Sequence, residues 1–397
     1  MMRLAIIGGQ LQGTEACYLA RQAGYEVLLI DKQRQVPAAG LADEFIVLDV
    51  VNNYRRTGEL LRSVDLIIPA NEDILTLNTI DHLARQIDRP YAFDPRAYAV
   101  SSSKKISDAL FQLLGVPAPA PWPRCSYPVI IKPAQLSGSA GVKKAHNAGE
   151  LKQYLHGLMQ PPETMVVQEF IDGPSLSLEV IALNGRAVAL QITELEFDRS
   201  YDCKRVLAGI PVEPDVAARL SHIGCQLAMA LNLTGIMDIE VMMDDNVPKV
   251  IEIDARLPSQ TPTAVFHSSG INMLELLTGV YVNGKLPETA RQPEQPERAV
   301  IYEHAIISGD RLEITGEYVL ASAGRLLCQD NLYGFDRVIT DFQGNPGEEW
   351  VATLITTGEN PHEAMAKRQK AISALMSEHD LKIFSDPVPA GGEVMAG

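Results

Sequence analysis

The stretch Met237-Asp238-Ile239-Glu240-Val241, followed beyond the turn Asp244-Asp245-Asn246 by Val250-Ile251-Glu252-Ile253-Asp254-Ala255-Arg256, alternates apolar and charged residues along two consecutive segments. That period predicts two strands, residues 236–243 and 249–254, each with one apolar and one charged face. The polar turn between them makes the pair a hairpin. Asp238 and Glu240 then share a face of one strand, and Glu252, Asp254 and Arg256 share a face of its neighbour. So many carboxylates on a half-buried sheet repel one another unless a cation bridges them. Oxygen-only ligands favour Mg²⁺, which usually shares its coordination with phosphates. Arg256 would stabilise charge on a transferring phosphoryl group or an acyl phosphate. The bland alternative is a solvated face with local ion pairs, against which the apolar neighbours Ile236, Ile239, Val250, Ile251 and Ile253 weigh.

Upstream lie groups suited to a triphosphate. Lys104 follows Ser101-Ser102-Ser103 at a helix start, and Lys132 ends the apolar strand 129–132, where a lysine needs a partner. Ser137-Gly138-Ser139-Ala140-Gly141-Val142 is small enough for backbone N–H groups to approach an anion, as a phosphate flap requires. Either lysine alone reads better as a surface or snorkelling residue; the combination points to phosphate. The strand around Val166-Val167-Gln168-Glu169-Phe170-Ile171 can offer backbone groups to an adenine edge, with Glu169 reaching ribose hydroxyls.

The first hundred residues alternate as an α/β unit. An apolar strand at 4–7 leads into Gly8-Gly9-Gln10-Leu11-Gln12-Gly13, then a helix at 14–23 closed by Gly24, and a strand ending in Asp31, where a ribose-binding acid would sit. Further strands are expected at 45–48 and 65–68, the latter breaking at Pro69 before Asn71-Glu72-Asp73. Prolines 117, 119 and 121 mark a boundary near residues 100–120. Helices are expected at 148–158, 214–231 and 362–378, and strands at 165–170 and 175–183. Residues 288–298 read as a linker, and 386–397 as a disordered tail.

The chain has 397 residues, 46% hydrophobic and 21% charged, so two or three folding units with a sizeable core are expected. Its formal charge of −16, from 50 acidic against 34 basic residues without a basic cluster, argues against nucleic acid as a partner. No apolar run reaches transmembrane length and the start reads as a buried strand rather than a signal peptide, so no membrane partner and a cytoplasmic location are expected. Five scattered cysteines without a CxxC pair suit a reducing compartment. The eight histidines show no metal-ligand spacing, and no local nucleophilic triad emerges.

Two lysines, a small-residue flap, the 168–171 hinge and the acid pairs of MDIEV and IEIDAR together resemble the ATP-grasp superfamily, over about residues 1–290. The turn GGQLQG with Asp31 resembles the Rossmann-like domain that precedes it. Within the superfamily, the N-terminal motif and EIDARLPSQTPT resemble the ligases of pyrrolysine biosynthesis, which join (3R)-3-methyl-D-ornithine to the side-chain amine of L-lysine.

The resemblance implies a fold of α/β and α+β class. A Rossmann-like domain (1–100) precedes a two-lobed ATP-grasp domain (101–290, lobes split near 185–210) and a small C-terminal cap (291–397). It implies ATP and Mg²⁺, an acyl-phosphate mechanism, and L-lysine and 3-methyl-D-ornithine as substrates, and it allows a homodimer. Carried over, the metal positions are Asp238, Glu252 and Asp254, although many of these enzymes have Asn where Asp254 stands. The cofactor positions are Leu11, Gln12, Asp31, Asp49, Val50, Lys104, Lys132, Ser139, Gln168, Glu169, Phe170 and Ile171. The ornithine would meet Ser177, Leu178, Glu179, Glu240 and Pro258-Ser259-Gln260-Thr261-Pro262-Thr263. L-Lysine would meet Leu11, Gln12 and Glu72. Arg256 and Glu72 are the catalytic candidates, Glu72 as the base for the lysine amine. Gln10 stands where the resemblance implies a basic residue, and the 198–211 loop is expected to be longer than in that family.

Three other readings stay open. An ATP-grasp carboxylase related to carboxyaminoimidazole ribonucleotide synthase would need bicarbonate and a ribonucleotide. A nicotinamide-dependent oxidoreductase would leave the acid hairpin unexplained. A non-catalytic nucleotide-binding module would bind ATP without turnover.

Overall fold

A computed structural model describes residues 1–135, 138–139, 141–157, 164–287, 298–344 and 348–389. The N-terminal unit is a parallel sheet of β1 (Arg3–Ile7), β2 (Glu26–Asp31), β3 (Glu44–Val47) and β4 (Leu66–Pro69) in the order β3-β2-β1-β4. β1, β2 and β4 are almost wholly buried, which is why they read as continuous apolar runs. The helix expected from residue 14 instead starts at Leu11, so Gly13 lies inside it. There a Cβ would sit 2.1 Å from the Gly8 carbonyl oxygen, so the close helix–turn approach requires glycine.

A second, three-stranded sheet is formed by β5 (Val129–Pro133), β6 (Lys143–Ala145) and β7 (Met165–Glu169), with β5 central. Flap residues 136, 137 and 140 lie outside the described residues, as do 158–163. The helix expected at 148–158 is described as Ala148–His156.

The third sheet has eleven strands. β8 (Ser175–Leu183), β9 (Arg186–Phe197), β10 (Cys203–Ala208), β11 (Gly235–Asp244) and β12 (Val247–Asp254) come first along the chain. β13 (Ala299–Ser308), β14 (Arg311–Thr315), β15 (Leu327–Asp330), β16 (Arg337–Thr340), β17 (Trp350–Gly358) and β18 (Ile383–Ser385) complete it. The main path runs β12-β11-β8-β9-β10-β13-β17-β16-β15, and β14 and β18 extend it from β13. Two expectations about boundaries change. The switch between sheets falls between Glu169 and Ser175, at Asp172-Gly173-Pro174, rather than near 185–210, because Asn184 and Gly185 form a tight β8–β9 turn inside one sheet. Among the described residues the C-terminal hundred build no separate sheet, since β13 pairs with β10 and carries the sheet onward.

Helix Pro214–Ala230 packs Val216, Leu220, Ile223 and Leu227 into the core that contains Leu178, Val180 and Ile239. Helices Thr261–Ser269 and Met273–Tyr281 lie between this sheet and helix Leu11–Gln22, sharing one apolar core with the N-terminal unit. Helix Pro361–Glu378 covers β13 and β17. The expected linker falls largely on residues 288–297, outside the described residues. Of the expected disordered tail, 390–397 are also outside, but residues 386–389 are described, and Asp386 is held by three basic side chains. No helix among the described residues is long and apolar enough to cross a membrane.

Candidate active site

β8, β11 and β12 are adjacent, and their registers line up two rows of polar side chains. Glu179 lies opposite Asp238, which lies opposite Asp254; Ser177 lies opposite Glu240, which lies opposite Glu252. The alternate positions Leu178, Ile239 and Ile253 turn into the core. Leu178, expected to meet substrate, therefore does not do so through its fully buried side chain, because period-two alternation sends it to the opposite face from Ser177 and Glu179.

Basic residues and hydroxyls relieve part of the repulsion within these rows. The Ser177 hydroxyl donates to Asp238, Lys104 Nζ donates to Glu252 Oε1 at 2.7 Å, and Arg256 Nη2 lies 2.8 Å from Asp254 Oδ2 while also pairing with Glu72. Glu179 is 0% exposed and neither of its oxygens has a hydrogen bond of normal geometry, although Thr261 faces it. Burial, reinforced by Asp238, pushes Glu179 up to about 8. Burial likewise lifts Asp238 to about 6 and Asp254 to about 7, against the pull of Ser177 on the first and Arg256 on the second. Glu240 is raised by burial and by its acidic neighbours Asp238 and Glu252.

Among the described residues, no three such groups converge closely enough to form an ion cage on their own. The expectation that a cation must bridge the acids is met in part by Lys104 and Arg256. The donor set still fits Mg²⁺. It is all oxygen, Asp254 Oδ1 is buried without a partner, and this ion keeps phosphate and water ligands rather than a full protein cage.

A cavity of about 250 Å³ opens between the three-stranded sheet and the acid rows. It brings together Lys104, Lys132, Ser139, the hinge 168–171, Glu240 and Glu252, which lie far apart in the chain. Lys104 enters as the first residue of helix Lys104–Leu114, and Lys132 from the end of the central strand β5. Lys132 Nζ has its required partner in the Ile251 carbonyl at 2.9 Å, and burial lowers its pKa. Glu169, expected to reach ribose, has Oε2 committed to Lys249 at 2.8 Å and to the Ala120 amide at 3.1 Å. Sequence reasoning missed Lys144, whose Nζ sits 3.5 Å over the Phe170 ring, as well as Tyr201, Met242 and Pro389 in the same wall. Period-two spacing from Glu240 could have found Met242; no local signal marks Pro389.

Of the other cofactor candidates, Leu11, Gln12, Asp31, Asp49 and Val50 do not line this cavity, because they belong to the N-terminal sheet and its loops. Asp31 accepts from the Gly9 and Gln33 amides and so braces the glycine turn. Asp49 accepts from the Val51 and Asn52 amides, and Asn52 holds its pKa low. Val50 is core, and Leu11 packs against the core shared with the large sheet. Gln12 instead donates to Glu72 at 3.0 Å, and Glu72 pairs with Arg256, so a chain of contacts ties the N-terminal unit to the acid rows.

Of the expected loop 258–263, only residues 258–260 are loop; Thr261, Pro262 and Thr263 form the buried first turn of helix Thr261–Ser269. Gln260 adopts φ 71°, is 4% exposed and donates to the Cys203 carbonyl at 3.2 Å. The Thr263 amide donates to Glu15, a carboxyl that burial raises to about 7. Of the expected 198–211 loop, residues 203–208 form β10; in the connection before it Asp198 accepts from the Ser200, Asp202 and Gly316 amides, and Tyr201 stands in the cavity wall.

The ATP-grasp domain family matches residues 101–260. A 3-methyl-D-ornithine–L-lysine ligase from Methanosarcina mazei is 35% identical over 377 residues, covering 94% of this chain and 95% of its own. The Methanosarcina barkeri protein of the same description is 35% identical over 378 residues, covering 94% and 98%. Among solved structures, an L-amino acid ligase from Bacillus licheniformis superposes with a TM-score of 0.67 at 17% identity, covering 94% of this chain and 98% of its own. A biotin carboxylase from Campylobacter jejuni superposes with a TM-score of 0.72 at 16% identity, covering 94% and 91%. At those identities the two structures show a shared fold.

Proposed function

This chain belongs to the ATP-grasp ligase family that includes the 3-methyl-D-ornithine–L-lysine ligases of Methanosarcina, and we propose that it joins the carboxylate of 3-methyl-D-ornithine to the ε-amine of L-lysine with consumption of ATP. The observation that carries this reading is the pair of in-register rows, Glu179–Asp238–Asp254 and Ser177–Glu240–Glu252, beside a cavity that also holds Lys104 and Lys132.

Lys104 and Lys132 bind the phosphates, and Ser139 in the flap covers them. Gln168, Glu169, Phe170 and Ile171 border the space for adenine and ribose. Asp238, Glu252 and Asp254 would hold Mg²⁺, which when bound neutralises charge on the phosphate oxygens. The ornithine lies along the polar rows, its ammonium groups facing Glu179 and Glu240 and by their charge drawing down the pKa that burial raises in both, with residues 258–263 around its carboxylate.

In the first step a carboxylate oxygen of the ornithine attacks the γ-phosphorus, and the bond to the bridging β–γ oxygen breaks to release ADP. In the second, the lysine nitrogen attacks the acyl carbon, the C–O bond to phosphate breaks, and inorganic phosphate leaves as the amide forms. Arg256, whose Nε is buried without a hydrogen-bond partner, lies where it can meet the charge on the acyl phosphate. A lysine amine with an ordinary pKa of about 10.4 must lose a proton before attack. Glu72 binds that amine and accepts the proton, exchanging it against its contact with Arg256.

Purified protein given Mg-ATP, L-lysine and D-ornithine or its 3-methyl derivative should release ADP and form an ornithyl-lysine amide detectable by mass spectrometry. Glu252→Ala should lose both signals. ADP release that needs neither amino acid, with no amide formed, would refute the proposal.

A further inference from the structure

We propose that the C-terminal segment 386–389 forms part of the wall of the nucleotide cavity and that Asp386 is the positioning residue that docks it, an inference that rests on reading this cavity as the ATP site. Lys204 and Arg205 lie on β10, at a bulge where Cys203 and Arg205 pair with β9 and Lys204 is the extra residue. The bulge lets two successive side chains reach one carboxylate. Lys204 Nζ lies 2.5 Å from Asp386 Oδ1, and Arg205 and Arg368 reach Asp386 Oδ2 at 2.5 and 3.0 Å.

All three cations are deeply buried, with side-chain exposures of 1%, 5% and 7% for Lys204, Arg205 and Arg368. Glu303 pairs with Arg205 and Arg368, and Glu196 with Arg205, but among the described residues Asp386 is the acid that pairs with Lys204. A buried ammonium without an acid is strongly unfavourable, so Lys204 demands that the C-terminal segment dock. Lys204 Nζ also donates to the Pro387 carbonyl at 2.6 Å, which fixes the direction of the chain beyond Asp386. Two residues further on, Pro389 lines the same cavity as Lys104, Lys132 and Phe170, beside Phe197 and Tyr201 from the end of β9 and its loop. Nucleotide affinity thereby depends on an ion pair outside the cavity.

Calorimetric titration of the full-length protein with ADP and Mg²⁺ tests this with two variants. Asp386→Asn removes the anchoring charge and should raise the ADP Kd about tenfold, the scale of one lost apolar contact. Pro389→Asp keeps the anchor but sets a charged carboxylate into the cavity wall in place of an apolar ring, and should raise the Kd by tenfold or more. In turnover, the KM for ATP should rise more than kcat falls, while the KM values for the amino acids stay put; Asp386→Glu should recover part of the affinity. A lower denaturation midpoint with ADP Kd within twofold of the parent would mean a merely structural anchor and overturns the proposal. If Asp386→Asn does not fold, the half-exposed Pro389→Asp decides alone: a Kd within twofold of the parent overturns the proposal. A parent protein that binds no ADP would instead overturn the functional reading on which the proposal stands.

Discussion

Replacing Glu179 by Gln separates the stability of the site from its chemistry. Glu179 is wholly buried, its oxygens lack hydrogen bonds of normal geometry, and burial with Asp238 opposite raises it from 4.5 to about 8. In the unfolded chain the same carboxyl ionises near its ordinary value, so between the two values the native state keeps a proton that the unfolded state has released. The stability this proton confers is fully present below pH 4.5 and is lost as pH rises toward about 8. At about 1.4 kcal/mol per pH unit the whole interval is worth about 5 kcal/mol. Asp238 opposite bears the same pressure, so replacing Glu179 alone relieves roughly half of it, about 2–3 kcal/mol. Urea denaturation of the ligand-free protein at pH 5 and pH 8.5 measures this. Glu179→Gln should match the parent at pH 5 and exceed it by about 2–3 kcal/mol at pH 8.5, while losing ligase activity because the ornithine ammonium has lost its carboxylate. A difference equal at both pH values, or a less stable variant at pH 8.5, would refute the reasoning.

Two further substitutions probe the phosphate groups and the N-terminal turn. Lys104→Met removes the cation that sits 2.7 Å from Glu252 in the cavity, and should weaken ADP binding and lower kcat/KM by about 10²–10³, as loss of a preorganised charge does; unchanged ADP release would exclude a role on phosphate. Gly13→Ala drives a Cβ to 2.1 Å from the Gly8 carbonyl oxygen, and chemical denaturation should show a loss of about 1–3 kcal/mol or failure to fold.

Where the signal was local and periodic, the residues alone were enough. The alternation in 237–241 and 250–256 placed Asp238, Glu240, Glu252 and Asp254 on one face, and the same rule applied to β8 would have turned Leu178 inward. The glycine-rich turn and Asp31 were visible as a unit, but not that Asp31 braces the turn through the Gly9 amide. A carboxylate at a strand end looks the same in sequence whether it awaits a ribose or binds its own backbone.

By itself, the sequence determined the succession of elements, the charged faces of the hairpin, the candidate lysines and the family resemblance, because each is written in short periods or fixed motifs. Only the tertiary structure decided that β8 lies beside β11, making Glu179 a buried neighbour of Asp238. Likewise it decided that Arg256 reaches back to Glu72, that β13 continues the sheet from β10, and that Asp386 docks on Lys204. Alternation tells which side of a strand a residue takes. It carries no information about which strand lies next to it or in what register, because those follow from burying apolar surface and pairing buried charges across the whole chain.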